Sequence, residues 1–281
     1  MNKKEATRVR IGMANYLNTA PIYEKLKSSV ARNGWQLVEA PPAHLTEILA
    51  QGHIDIGFIS ACAYAADPEN YKILSGLSIS DCGSSGSVFL LSHVPLLQLD
   101  LQPLLLSSQA ETSLGLLKIV LEVFNKVKPS YLRVTEGAGD QDYKAVLVTG
   151  DEAISLVQGS THLYQFDLGD LWKQETGLPL VLGVCVVRED FSEKHPDLLA
   201  SVHEELLRCR DEGISELDII CEKSAVRVPL SAAKCRQYLE AMEYDLGGQK
   251  RKALETFFGF LIKRGDIAEN ALPLRMYTSA M

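Results

Sequence analysis

An α/β chain folded into two lobes is what this sequence predicts, and three observations carry the prediction. Its 281 residues exceed what one ordinary core holds and suit two lobes of roughly 100 to 180 residues. Strand-like and helix-like segments alternate as far as Arg188, the pattern of parallel strands joined by returning helices. Beyond Arg188 come four consecutive helical segments with few strand signals, suited to covering one lobe. Two lobes imply a cleft between them.

Taken in order, RVRIGM (8–13) reads as a strand, and the stretch from Asn18 to Asn33 as a helix that Gly34 closes with a left-handed cap. WQLVEA is a second strand. Pro41 and Pro42 break the chain, AHLTEILAQG forms a short helix ended by Gly52, and IDIGFIS (54–60) is apolar enough for a central parallel strand. GSVFLLS (86–92) and PLLLSS follow as strands. Glu111 to Lys126 reads as a helix, with Leu117, Val120, Leu121 and Phe124 recurring on one face. YLRVT and KAVLVTG (144–150) are further strands, a helix opens at Asp151, and LVLGVCVVR (180–188) is a long apolar strand. The last helices span 196–212, 214–225, 231–241 and 248–264. The chain is thus expected to form lobe I from 1–92 and 183–281, lobe II from 93–182, and to cross twice through extended hinge segments. No internal repeat is visible.

Composition excludes several classes. With 46% hydrophobic and 23% charged residues, the chain is ordinary globular protein. A formal charge of −8, from 36 acidic against 28 basic residues spread along the sequence, leaves no basic face for nucleic acid. MNKKEATRVR lacks the apolar core of a secretory signal, and no window reaches the ~20 apolar residues of a membrane helix, so a cytoplasmic protein is expected. Cys62, Cys82, Cys185, Cys209, Cys221 and Cys235 lie far apart, without C-x-x-C pairs or nearby histidines, and are expected to be reduced thiols. No metal is implied. G-x-G-x-x-G, P-loop, G-x-S-x-G and H-E-x-x-H patterns are absent, which leaves dinucleotide, nucleotide triphosphate, serine hydrolase and zinc protease readings without support.

In open α/β sheets ligands bind beyond the carboxyl ends of strands, where helix starts present free N–H groups. Asn18, just before Pro21 in the first helical turn, is either an N-cap or an amide pointed into the cleft. Ser60, at a strand-to-helix junction, could cap the helix or bind a ligand. Ser84-Ser85-Gly86-Ser87 suits close approach of a ligand, although a tight turn uses the same composition. Thr112 and Ser113 open a helix, and two hydroxyls at the positive end of its dipole suit a carboxylate as well as a cap. Asp151 is read as a capping carboxylate that would repel an anion. These residues alone point to an anion bound between two lobes.

Tyr16-Leu17-Asn18-Thr19-Ala20-Pro21 resembles the Y-L-N-x-x-P signature of the menaquinone-biosynthesis chorismate dehydratases of the futalosine route. Similar matches follow at GHIDIGFIS (52–60), GLSIS (76–80), GSVFLLS, ETS (111–113), VLVTGDEAI (146–154), DLGDLWKQETGLP (167–179) and Tyr244-Asp245-Leu246-Gly247, so the resemblance covers nearly the whole chain. It implies a fold like the type II periplasmic binding proteins, chorismate as substrate, and no external cofactor. The reaction it implies removes the ring hydroxyl together with the hydrogen on the carbon bearing the enolpyruvyl ether, giving water and 3-[(1-carboxyvinyl)oxy]benzoate. That hydrogen is vinylogous to the ring carboxylate, so its loss drives charge onto the carboxylate oxygens. Donors there act as an oxyanion hole, each worth roughly 3 to 4 kcal/mol.

On this resemblance Asn18 and Ser87 are the expected catalytic residues, Asn18 orienting the substrate and Ser87 binding the departing hydroxyl. Tyr16, Ser60, Gly86, Thr112 and Ser113 are expected to bind substrate, with Thr112 and Ser113 at the ring carboxylate. No Asp, Glu or His occupies an expected cleft position, and the enolpyruvyl carboxylate of the substrate is expected to take the proton. The sequence departs from its relatives at Ala110, where they usually carry a hydroxyl, and at Cys82-Gly83-Ser84-Ser85, in place of a D-G-P-hydrophobic run. Two alternatives stand beside this reading: the sister lyase that forms a dihydroxynaphthoate, whose first turn is rich in Ser-Pro-Asp, and a non-catalytic protein that binds small carboxylates. The chain is expected to be a monomer or homodimer.

Overall fold

In the computed structural model, residues 8–83, 86–106, 111–133, 143–224 and 230–278 are described. The chain opens with β1 (Arg10–Met13), α1 (Ala20–Asn33), β2 (Gln36–Glu39), α2 (Pro42–Ala50) and β3 (Ile56–Ser60). Both helices end where glycine takes a left-handed backbone, Gly34 at φ 70° and Gly52 at φ 75°. β1 pairs in parallel with β2 and with β3, so the expected βαβαβ unit is present. Next come α3 (Ala61–Ala66) and β4 (Tyr71–Asp81). No strand was expected at β4, because Ser75, Gly76, Ser78 and Ser80 break its apolar run. These hydroxyls are satisfied inside the sheet: Ser78 and Ser80 are fully buried, and their Oγ atoms lie 2.7 Å apart.

A second sheet follows: β5 (Val88–Ser92), β6 (Pro103–Leu106), α4 (Glu111–Lys118), β7 (Ser130–Arg133), β8 (Ala145–Thr149), α5 (Gly150–Gly159), β9 (Tyr164–Asp167) and α6 (Leu168–Thr176). The helix expected through Lys126 changes at Ile119 into a wider π-type turn that ends at Phe124. Leu117, Val120 and Leu121 are fully buried as their spacing requires. The chain then returns through β10 (Leu180–Arg188), α7 (Glu189–Lys194), α8 (Pro196–Ser215), α9 (Leu217–Ser224), α10 (Ala232–Glu240), β11 (Met242–Glu243), α11 (Gly248–Arg264) and β12 (Met276–Tyr277).

The first sheet runs β11-β4-β10-β3-β1-β2, with β12 also on β4, and the second runs β7-β6-β8-β5-β9. In each, three neighbouring parallel strands are followed by an antiparallel strand and then by a further strand beyond it. β10 lies antiparallel between β3 and β4, and β5 lies antiparallel between β8 and β9. The halves therefore share one topology although no repeat is visible in the sequence. β5 was expected with lobe I but hydrogen-bonds only within the second sheet. The chain leaves the first sheet after Asp81 and re-enters it at Leu180.

The late helices divide their packing. α8 crosses α1 so closely that a Cβ on Gly213 would fall 2.0 Å from the Pro21 carbonyl oxygen. α11 instead reaches the second half, where Phe257 and Phe260 meet the fully buried Trp172 of α6 edge-on at 5.8 and 6.0 Å. A Cβ on Gly115 of α4 would sit 3.3 Å from Leu261 of α11 and 3.5 Å from Cys62 of α3. None of the six cysteines is in a disulfide; Cys82 is half-buried and the rest are buried. Among the described residues no helix is long and apolar enough to cross a membrane.

Candidate functional site

A cavity of about 400 Å³ is lined from both sheets. Its walls include the residues at or just past the carboxyl ends of β1, β3, β6, β7 and β8, namely Ala14, Ser60, Leu106, Arg133 and Thr149, where open α/β sheets place ligands. Tyr16, Asn18, Ser60, Ser87, Thr112 and Ser113 all line it. Gly86 does not. Its φ of 79° lies in the left-handed region that favours glycine, and its N–H donates to Asp167 Oδ2 at 3.0 Å.

Leu17 to Thr19 form one 3-10 turn before α1. The cap position of α1 is Thr19, whose hydroxyl accepts from the Tyr16 N–H at 3.1 Å and reaches the Ala14 carbonyl at 2.6 Å. Asn18 is thereby released from capping. Its Oδ1 is buried with no hydrogen-bond partner among the described residues, a state that costs about 1 to 3 kcal/mol until a donor arrives. Tyr16, half-buried on the same turn, has its phenol pushed up by burial and by the nearby Asp151 carboxylate.

Ser60 is the cap of α3, its Oγ accepting from the Ala63 N–H at 3.1 Å, and it also lines the cavity. Thr112 and Ser113 are 3% and 4% exposed. Thr112 Oγ1 accepts from the Cys62 N–H at 3.0 Å, which leaves its own O–H proton to be donated. The Cys62 thiol is raised to about 12 by burial, against the pull of Thr112, and stays neutral beside them. Ala110, Ser84 and Ser85 lie outside the described residues, as does the link before α4.

Asp151 is not the cap expected of it. Thr149 holds the cap position of α5, and Asp151 Oδ1 accepts from the Leu17 N–H at 3.0 Å, a bond from the second half to the turn that carries Asn18. Ser87 is 1% exposed. Its carbonyl accepts from the Gly150 N–H at 2.8 Å, and its Oγ lies 2.9 Å from the Tyr238 hydroxyl.

Sequence reasoning missed three charged lining residues. Glu47 and Glu111 occupy exposed parts of the lining, so the cleft does hold carboxylates. Glu47 pairs with His44 at 3.2 Å. Arg133 is the one cation among the described lining residues. Its signal was its place at the end of a parallel strand, hidden because β7 had been read only as a strand.

Two sheets of one strand order, crossed twice by the chain and with a cavity lined from both, define a protein of the periplasmic-binding-protein fold class. The periplasmic aliphatic sulphonate binding protein SsuA from Escherichia coli superposes with a TM-score of 0.68 at 12% identity, over 99% of this chain and 94% of its own. A Candida albicans gene product described as having the generic periplasmic binding protein fold gives 0.69 at 12% identity, over 98% of each chain. The menaquinone biosynthesis family model matches residues 9–263, and the chain belongs to that family. Chorismate dehydratase from Thermus thermophilus is 28% identical over 264 residues, 88% of this chain and 93% of its own. The 1,4-dihydroxy-6-naphtoate synthase of the same organism is 23% identical over 230 residues, 80% of this chain and 82% of its own.

Proposed function

We propose that this protein is a hydro-lyase that eliminates water from chorismate to give 3-[(1-carboxyvinyl)oxy]benzoate in menaquinone biosynthesis. The observation that carries the reading is the buried Asn18 Oδ1, left without a partner in a cavity it shares with Ser87, Thr112 and Ser113. Family membership and the dehydratase relative support the same reading.

The substrate carries two carboxylates and a ring hydroxyl, and the cavity offers groups for each. Thr112 and Ser113, at the positive end of α4, donate to the ring carboxylate as charge builds on it. Arg133 meets the enolpyruvyl carboxylate. Asn18 holds the conformer in which that carboxylate takes the ring proton, and Ser87 donates to the departing hydroxyl. The C–H electron pair passes into the ring and the C–O pair leaves with oxygen, so proton and hydroxide depart as water and the ring becomes aromatic. Closure of the two halves on the substrate keeps bulk water out during this step.

Incubating the purified protein with chorismate tests the reading, with the aromatic enol ether followed by absorbance and mass. Accumulation of that product is expected. Chorismate recovered unchanged while raising the melting temperature would instead mark a binding protein.

A further inference from the structure

Thr19 stands at the cap position of α1 yet makes no side-chain bond to that helix. A threonine so placed ordinarily accepts from an N–H of the first helical turn. Here the hydroxyl turns back instead. Its Oγ1 accepts from the Tyr16 N–H at 3.1 Å, and its proton goes to the Ala14 carbonyl at 2.6 Å, with the Tyr16 carbonyl 2.9 Å away. The Thr19 N–H closes the same loop on the Tyr16 carbonyl at 3.2 Å. Together these bonds clip the end of β1 to the start of α1 and enclose the single 3-10 turn Leu17–Thr19. Asn18 sits inside that clip, and its Oδ1 has no partner among the described residues, so the aim of the amide depends on the main chain that carries it. Thr19 is 6% exposed and lines the cavity, but with its one proton committed to main chain it has no donor left for the carboxylates of a substrate. The other bond to the turn, from the Leu17 N–H to Asp151, comes from the second half and requires the two halves to be together. The Thr19 clip lies wholly within the first half.

We propose that Thr19 is a positioning residue, fixing the turn so that Asn18 already presents its amide to the cavity before substrate arrives. Its effect on turnover rests on the reading of the protein as a dehydratase; the clip itself does not. Without the hydroxyl, the Tyr16 N–H and the Ala14 carbonyl lose a partner and the turn is free to rearrange. Asn18 then meets the substrate misaligned for part of the time. Serine at this position keeps the hydroxyl and with it the clip.

The test is a set of variants of the full chain: Thr19→Val, which removes the hydroxyl at nearly constant volume, Thr19→Ser, Asn18→Ala, and Thr19→Val with Asn18→Ala. Thr19→Val is expected to lower kcat about tenfold with KM within about threefold, and Thr19→Ser to keep both within about threefold. In the Asn18→Ala background, Thr19→Val is expected to cost no further kcat, because its route to the substrate is gone. The side-chain amide of Asn18 gives a second readout by nuclear magnetic resonance, its signals assigned by their loss in Asn18→Ala. One sharp pair is expected in the unaltered protein and in Thr19→Ser, and a broadened or doubled pair in Thr19→Val. Should Thr19→Val fail to fold, Thr19→Ala, which leaves room for a water at the two stranded main-chain groups, carries the same expectations. An unchanged kcat in the variant without the hydroxyl, a serine variant as impaired as the valine one, or kcat losses that multiply in the double variant overturns the proposal. A threonine needed only for folding would lower the melting temperature and leave kcat and the Asn18 signals as they were, which overturns it equally. If the unaltered protein fails to turn over chorismate, the dehydratase reading falls, and the amide signals alone decide whether Thr19 fixes Asn18.

Discussion

Asn18 presents its amide from a single 3-10 turn whose backbone is held by the Thr19 hydroxyl and by Asp151, so its replacement tests chemistry with little disturbance of the fold. Asn18→Ala is expected to lower kcat on the order of a hundredfold, with a smaller change in KM, in steady-state assays with chorismate. Glu47→Gln and Glu111→Gln are expected to keep kcat within about threefold if the substrate supplies the base. Loss of general-base catalysis costs on the order of 10²-fold or more, so a collapse in either variant would transfer that role to the protein. Arg133→Gln should raise KM about tenfold, the scale of one charge-assisted hydrogen bond, and leave kcat nearly unchanged. The sequence showed most of the polar wall, because strand ends and helix starts announce where hydroxyls and amides must lie. Tyr238 gave no comparable signal. It stands 151 residues from Ser87, on a helix whose pattern speaks only of packing.

At the scale of elements, two of the hydrogen bonds between the halves run from a main-chain N–H to a side chain at a helix start across the cleft. Asp151 of α5 takes the Leu17 N–H, and Thr112 of α4 takes the Cys62 N–H. Asp151→Ala is expected to lower kcat/KM about tenfold, whereas Asp151→Asn, which keeps an acceptor oxygen, should stay within about threefold, consistent with the worth of one hydrogen bond to a charged group. Gly213→Ala probes the α1–α8 crossing, where a methyl group meets main chain rather than a pliable side chain. It should destabilise the protein by about 1 to 3 kcal/mol, measured from denaturant midpoints. Elements with a strong period or a glycine stop, such as α1 and α2, were legible from the sequence. β4 was not, because its polar side chains are buried against one another. The place of α11 was also hidden, since an apolar helix face says that it packs but not against what.

On the scale of the whole molecule, Asp167 at the start of α6 holds the first crossing. Its Oδ2 accepts from Gly86 on that crossing, and its Oδ1 caps α6 by accepting from Gly169 at 2.9 Å. Burial, then the fully buried Asp81 carboxylate, raises Asp167 to about 6 despite these bonds. The folded chain therefore holds a proton that the unfolded chain, with an ordinary carboxylate near 4, has already released. This contribution to stability is complete below about pH 4 and is lost as pH rises through about 6. Asp81→Asn removes the repelling charge, so its melting temperature should gain on that of the unaltered protein between pH 4 and 7. A difference constant over that range would show that the two carboxylates do not interact. The position of β10 also sets an order of assembly on the ribosome. The second sheet comes from one uninterrupted stretch, Val88 to Asp167, whereas the first has a vacant slot between β3 and β4 until Leu180–Arg188 has been synthesised. A nascent chain halted before that point holds two unpaired strand edges side by side, the kind of surface that aggregates or recruits a chaperone.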